Sequence, residues 1–369
     1  MIRMQFTVQV QAMIDGLNIV TRALAARSAR EILNGVLVEA DSDGILLTCS
    51  DGSLTIQTAV EGEVKEAGRT VLPARIFFEL VRKLPGGDMQ VKIADNSRAT
   101  IQCLSSRSTL TAMDPMEYPE MSDEAQGTEV KIGQAQLKKM INGVVFAIAT
   151  DENRQLLTGI LMEVNSGEAR LVALDGFRLA LQVDQRAFDA DGLRVVIPGR
   201  VMQELGRVLP EEEEDCSLVF GGGHMTATFG KTRLETVLLA GEYIDYKRIL
   251  PASFATETLV NRSDIQNAID RASLMAREGK NNLIRMSVNE GTMTISSNAE
   301  LGDVREELTV ATNGNPIEIA FNAKYLTDVI RNVGDDELCM KFNSNVSPCV
   351  IVPKEGNAYL FLVLPVRIF

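Results

Sequence analysis

Three times along the chain, an alternating apolar–polar stretch passes into apolar residues spaced three and four apart. The copies read FTVQVQAMIDGLNIV near the start, VKIGQAQLKKMINGVVFAI in the middle and LVNRSDIQNAIDRASLM later. Alternation marks a strand and the wider spacing an amphipathic helix. Aligned on Ile14, Ile141 and Ile269, the copies stand 127 and 128 residues apart. A second strand-to-helix signal recurs in TVLPARIFFELVRKLP, RVVIPGRVMQELGRVLP and IEIAFNAKYLTDVIRNV, with Pro73, Pro198 and Asn322 spaced 125 and 124 apart. All three suit a helix start, where proline forfeits no needed N–H and asparagine caps.

Two landmarks with nearly one period predict three repeats of about 120 residues, each with two helices among short strands. Stretches such as GVLVEADSDGILLTCSDGSLTIQTAV and LIRMSVNEGTMTISSNAE alternate around turn residues and predict antiparallel hairpins. The expected class is α+β, with three tandem repeats of helix pairs packed on antiparallel sheets. The domains are expected at 1–126, 127–253 and 254–369. The acidic run Glu211 to Asp215 falls at a repeated turn, and Gly221 to Gly223 reads as a hairpin because the Lys-Ser/Thr and following helix of a phosphate loop are missing.

The last eight residues, LVLPVRIF, are apolar except for Arg367, so this tail is expected to pack against the body of the protein. The chain has 369 residues, 45% apolar and 24% charged, and no run of about 20 apolar residues, so a soluble globular protein is expected. The first residues alternate and lack a signal-peptide pattern. Five widely spaced cysteines, Cys49, Cys103, Cys216, Cys339 and Cys349, predict reduced core thiols in a cytoplasm. The single histidine, His224, sits beside a turn and reads as a solvent-facing spacer. No triad or metal-spaced cluster points to catalysis or to a metal, and no cofactor is expected.

The net charge of −13 is unevenly spread. The six helical stretches sum to +7 and leave −20 for the remainder. A basic helical surface inside an acidic protein suits a polyanion held by phosphate contacts, which carry no sequence information. Tryptophan is absent, so base stacking is not the mode.

The repeats, the helical charge bias and the segments ALDGFRLA (173–180), GEYIDYKRILP (241–251), FNAKYLTDVI (321–330) and LPVRIF resemble the bacterial sliding clamp family, the β subunits of DNA polymerase III, over essentially the whole chain. The resemblance implies a non-catalytic processivity factor. Two subunits join head to tail in a six-domain ring, and the helices line a hole that encircles duplex DNA without regard to sequence. It implies DNA contacts at Arg27, Arg75, Arg154 and Arg200. It also implies a subunit joint in which Arg107 and Leu110 meet Leu274, Met275 and acids near Glu300. Replicative polymerase, clamp loader and repair proteins would bind by short linear peptides, in the cytoplasm and away from membranes.

The peptide groove implied by the family lies between the second and third domains, with the C-terminal segment as one wall. The matching positions are Leu157, Leu174, Gly176, Phe177, Arg178, Leu179, Ile244, Arg248 and Ile249. Asn322, Tyr325, Val346, Leu362, Leu364, Pro365, Val366 and Arg367 complete the set. Several positions depart from some relatives: Phe177 stands where some have histidine, Leu174 where some have threonine, Ile244 where some have proline and, outside the set, Asn281 roughly where some have an aromatic. Asp151 or Thr150 stands near a glutamine of some relatives. Two other readings of the residues stay open: a cytosolic repeat-based hydrolase with a carboxylate cleft, and a monomeric scaffold that binds proteins without DNA.

Overall fold

The computed structural model describes residues 3–25, 28–94, 98–121, 126–186, 188–279 and 282–367. Six α-helices follow strands as the periodicity predicts: α1 (Val10–Val20), α2 (Ala74–Arg82), α3 (Gln134–Val145), α4 (Gly199–Val208), α5 (Arg262–Glu278) and α6 (Ala323–Arg331). Each starts directly where a strand stops, and before α1, α5 and α6 the capping residue still has extended backbone. Pro73, at φ −57°, fills that place before α2. Asn261 and Asn322 fill it before α5 and α6, and their side chains accept backbone N–H groups of the first turn.

The chain divides into two compact units. The first comprises Met1–Ala135 and Arg207–Leu238, the second Gln136–Gly206 and Leu239–Phe369. The first unit holds a five-stranded antiparallel sheet in the order Gly62–Glu66, Met4–Gln9, Asp88–Ala94, Arg98–Cys103, Ser106–Thr111. It also holds an eight-stranded sheet in which Leu54–Val60 of the first repeat pairs with Thr232–Val237 of the second, Ile56 opposite Leu234. α1 packs on Gly44–Ser50 and Leu54–Val60 and beside α2, enclosing Phe6, Met13, Leu17, Leu47 and Phe77.

The second unit has the same construction. In its nine-stranded sheet, Arg178–Asp184 of the second repeat pairs with Tyr359–Val363 of the third, Leu179 opposite Leu362. Its four-stranded sheet runs Gly302–Thr309, Thr292–Ala299, Leu283–Asn289, Ile317–Asn322, and α5 packs on the first two of these and on α6. The second repeat thus contributes strands to both units, because backbone pairing runs through each repeat junction.

Several smaller expectations can be placed. Gly221 to Gly223 join Asp215–Gly221 to His224–Phe229, with Gly222 and Gly223 at φ +59° and +80°, a hairpin conformation that glycine adopts without a Cβ penalty. His224 is half exposed, its Nδ1 3.7 Å from Glu235. All five cysteines are buried free thiols on strands, and burial pushes the Cys216 thiol up to about 12. Among the described residues no helix is long and apolar enough to cross a membrane, and no group of three or more His, Cys, Asp or Glu is placed to hold a metal.

Candidate functional site

The apolar tail packs within the second unit. After the strand Tyr359–Val363, the Leu364 N–H donates to the Phe177 carbonyl at 2.9 Å, and the Val366 N–H donates to the Ala320 carbonyl at 2.8 Å. Residues 364–366 are therefore strapped between the turn at Phe177 and the edge strand Ile317–Asn322. Leu364, Pro365 and Val366 are half-buried and Arg367 is exposed. Beneath them Leu157, Leu174, Leu179 and Leu362 belong to one buried cluster with Tyr243 and Tyr246, and Leu364 packs against it.

The turn itself is built by Asp175, whose Oδ1 accepts the N–H groups of Phe177 at 2.8 Å and Arg178 at 3.0 Å. Gly176, between Asp175 and Phe177, stands at φ +93°, a left-handed conformation that glycine adopts without a Cβ penalty. A Cβ on Gly176 would stand 2.8 Å from Nη1 of Arg154. That guanidinium donates to the Asp175 carbonyl at 2.9 Å.

Arg178 is implied as groove lining, but the structure buries it: the residue is 8% exposed. Its Nε donates to Asp175 Oδ2 at 3.1 Å, its Nη2 to the Phe146 carbonyl at 2.6 Å and its Nη1 to Asp328 Oδ2. The guanidinium lies 4.9 Å from the ring centre of Tyr325 and 5.3 Å from that of Phe146, a cation–π arrangement. Tyr325 in turn stacks on Phe177, centroids 5.5 Å apart with planes at 16°. Arg178 therefore joins the turn, the end of α3 and α6 from below, while Phe177, 52% exposed, presents the aromatic surface.

Ile244, Ile249 and Val346 are exposed apolar residues of the same unit, Ile249 closing the short 3-10 helix Tyr246–Ile249. Arg248 is exposed and paired with Asp245 at 2.9 Å. The segment 244–249 is anchored by Tyr246, whose hydroxyl donates to Glu163 Oε2 at 2.7 Å. Burial pushes that hydroxyl up to about 12. Asn322 caps α6 by accepting the Lys324 N–H at 3.0 Å. The site is thus an apolar floor with an aromatic pair, a strapped tail and a few fixed polar groups, a composition suited to an extended peptide.

Of the arginines implied for DNA, Arg75 belongs to the first unit and Arg154 and Arg200 to the second. Arg27, like Asn281, lies outside the described residues. Arg75 is exposed in the first turn of α2 and donates to the Ala25 carbonyl at 3.1 Å. Arg200 is exposed in the first turn of α4. Arg154 is tied to the Asp175 turn and to Asp151, 3.3 Å away. The Asp151 carboxyl is held below its ordinary value chiefly by the Asn153 backbone N–H. Of the residues implied for the subunit joint, Arg107 is exposed and Leu110 half-buried on Ser106–Thr111. Leu274 is 57% exposed and Met275 half-buried on α5, and Glu300 is exposed in the turn before Gly302–Thr309.

Sequence reasoning missed Phe146 and Asp328, whose roles depend on a side chain 32 and 150 residues away. Lys324 follows Asn322 by the same two residues by which Arg75 follows Pro73 and Arg200 follows Pro198, so each repeat carries a basic residue at the equivalent helix position. Exposed Leu301, beside Glu300, carried no periodic signal.

Family models for the DNA polymerase III β subunit match the chain throughout: the N-terminal domain over residues 4–122, the central domain over 131–245 and the C-terminal domain over 247–367. The β sliding clamps of Staphylococcus epidermidis and Staphylococcus aureus are 30% and 31% identical, with 99% of this chain and all of theirs aligned. The crystal structure of the Bacillus subtilis DNA polymerase sliding clamp superposes with a TM-score of 0.95 at 30% identity, covering 100% of both chains. That of the Pseudomonas aeruginosa clamp bound to griselimycin gives 0.92 at 27% identity over 99% of this chain and 100% of that one. With three domain models in order along its length and relatives matched from end to end, this chain belongs to the DNA polymerase III β subunit family, the bacterial β sliding clamps.

Proposed function

We propose that the protein is a non-catalytic clamp that closes as a head-to-tail homodimer around duplex DNA and holds replication and repair proteins near the primer end in the cytoplasm. The observation that carries this reading is a mismatch in the strand pairing. Thr232–Val237 and Tyr359–Val363 hold equivalent places in the second and third repeats, and each pairs with the preceding repeat, on Leu54–Val60 and Arg178–Asp184 respectively. Their equivalent in the first repeat, Ser106–Thr111, ends its sheet, and so does Gly302–Thr309, the third-repeat equivalent of Leu54–Val60.

Each copy therefore carries one unused strand of each kind. A second copy supplies the complement, and two three-repeat arcs close the circle with neither of these strands left unpaired. Arg107 and Leu110 lie on the first free strand. Leu274, Met275 and Glu300 flank the second. Domain limits near 126 and 253 fit the two internal junctions.

Inside the ring, Arg75, Arg154, Arg200 and Lys324, with Arg27, are assigned to phosphates. Such contacts are individually weak and salt-sensitive, so topological closure keeps the clamp on DNA. Partners dock by short peptides at the tail-strapped site, and griselimycin is its first probe. Clamp loaded onto nicked circular DNA is expected to survive gel filtration at high salt and to be lost once the circle is linearised. Equal loss from both forms would overturn the encircling mode.

A further inference from the structure

A second hollow lies in the same unit beside the tail-strapped site, and no role in the clamp reading uses it. Its volume is about 430 Å³. The floor is formed by Leu181 and Val183 on one strand, Leu360 on the next, and Val350 and Val352 on the third, with Phe254 at one wall. These side chains continue the apolar face that carries Leu179 and Leu362 under the tail.

The charged residues of the lining have one sign. Arg170, Lys247 and Lys341 all line the hollow, and none of its lining residues is acidic. Their glutamate partners lie outside it: Glu168 by Arg170, Glu257 at 3.0 Å from Lys341 and Glu163 at 3.9 Å from Lys247.

We propose that this hollow is a separate docking site for an acidic, apolar peptide segment of a partner protein. One aromatic or aliphatic side chain fills the floor, and a neighbouring carboxylate meets the Arg170–Lys247–Lys341 rim. Charge complementarity selects the partner: an apolar segment flanked by lysine or arginine brings like charges together at the rim. The proposal stands on this lining alone and does not depend on the tail-strapped site binding peptides.

The test uses the full-length protein and a fluorescein-labelled octapeptide with a central phenylalanine flanked by aspartates, with a lysine-flanked counterpart as control. Anisotropy is expected to show saturable binding of the aspartate peptide only. The double variant Lys247→Glu, Lys341→Glu is expected to weaken it about tenfold or more. Leu364→Ala with Arg367→Ala is expected to leave it unchanged. A photo-crosslinking benzoylphenylalanine at Asn357, an exposed residue of the lining, keeps the rim charges and should label the bound peptide.

Absence of saturable binding up to millimolar peptide, equal binding of the lysine peptide, or no crosslink at saturation would each overturn the proposal. Loss of binding in the tail variant with none in the charge-reversed one would also overturn it, and would assign the peptide to the tail-strapped site instead.

Discussion

Arg178 makes ion pairs with Asp175 and Asp328, a hydrogen bond to the Phe146 carbonyl and ring contacts to Tyr325 and Phe146 while almost excluded from water. Removing one partner of a buried charge network leaves the others unpaired, so Arg178→Ala is expected to cost about 3 kcal/mol of stability. Arg178→Lys should fall between alanine and wild type, because it keeps the charge but lacks the planar fork. Urea midpoints measure both, and an alanine variant as stable as wild type would remove the positioning role. Leu364 and Arg367 differ in kind, since one packs partly on the floor and the other projects from it. Replacing both with alanine is expected to abolish binding of a clamp-binding peptide while the dimer persists. Titration calorimetry and light scattering read the two effects separately, and unchanged affinity would sink the site assignment.

At the scale of the element, the point where strand becomes helix adds a local contribution. Asn322 ends Ile317–Asn322, caps α6 and sits two residues from Ala320, whose carbonyl receives the tail. Asn322→Ala should therefore destabilise by about 1 kcal/mol. Amide exchange should show the loss first in the opening turn of α6. A different device ties α5 to the free strand Gly302–Thr309: Arg271 meets Glu306 through two hydrogen bonds at 2.8 and 2.6 Å. The arginine holds the Glu306 carboxyl below its ordinary value, chiefly by that hydrogen bonding. A carboxylate depressed in the folded state stabilises above its unfolded pKa, and this contribution fades as pH falls through the lower folded value. The stability difference between wild type and Arg271→Ala should thus be present at neutral pH and vanish in acid below the ordinary glutamate range. A difference that persists there would mean that packing, not charge, joins the two elements.

On the scale of the whole molecule, the prediction concerns the unused strands. Arg107→Glu combined with Leu274→Asp places like charges in the proposed joint and is expected to shift the mass from twice 40.3 kDa toward the monomer. An unchanged dimer by light scattering would displace the joint to another surface. The strand-to-helix units were legible in the sequence by itself, because a backbone that alternates and then turns at 3.6 residues must place its apolar side chains on one face of each element. Ile14, Ile141 and Ile269 report that local geometry without any tertiary information. The triple period and the basic bias of the helices were also written there, and with ALDGFRLA and LPVRIF they identified the family. The tail was legible only as a segment that must pack; its hydrogen bonds to Phe177 and Ala320 were not. Nor was the burial of Arg178, which reads in sequence like any polar residue after a turn and depends on Asp328, 150 positions away. The sharing of the second repeat between two units, and the apolar hollow with its cationic rim, depend on strand pairs such as Leu181 with Leu360. Periodicity records which face a residue occupies within its own element; only the folded chain decides which face it meets.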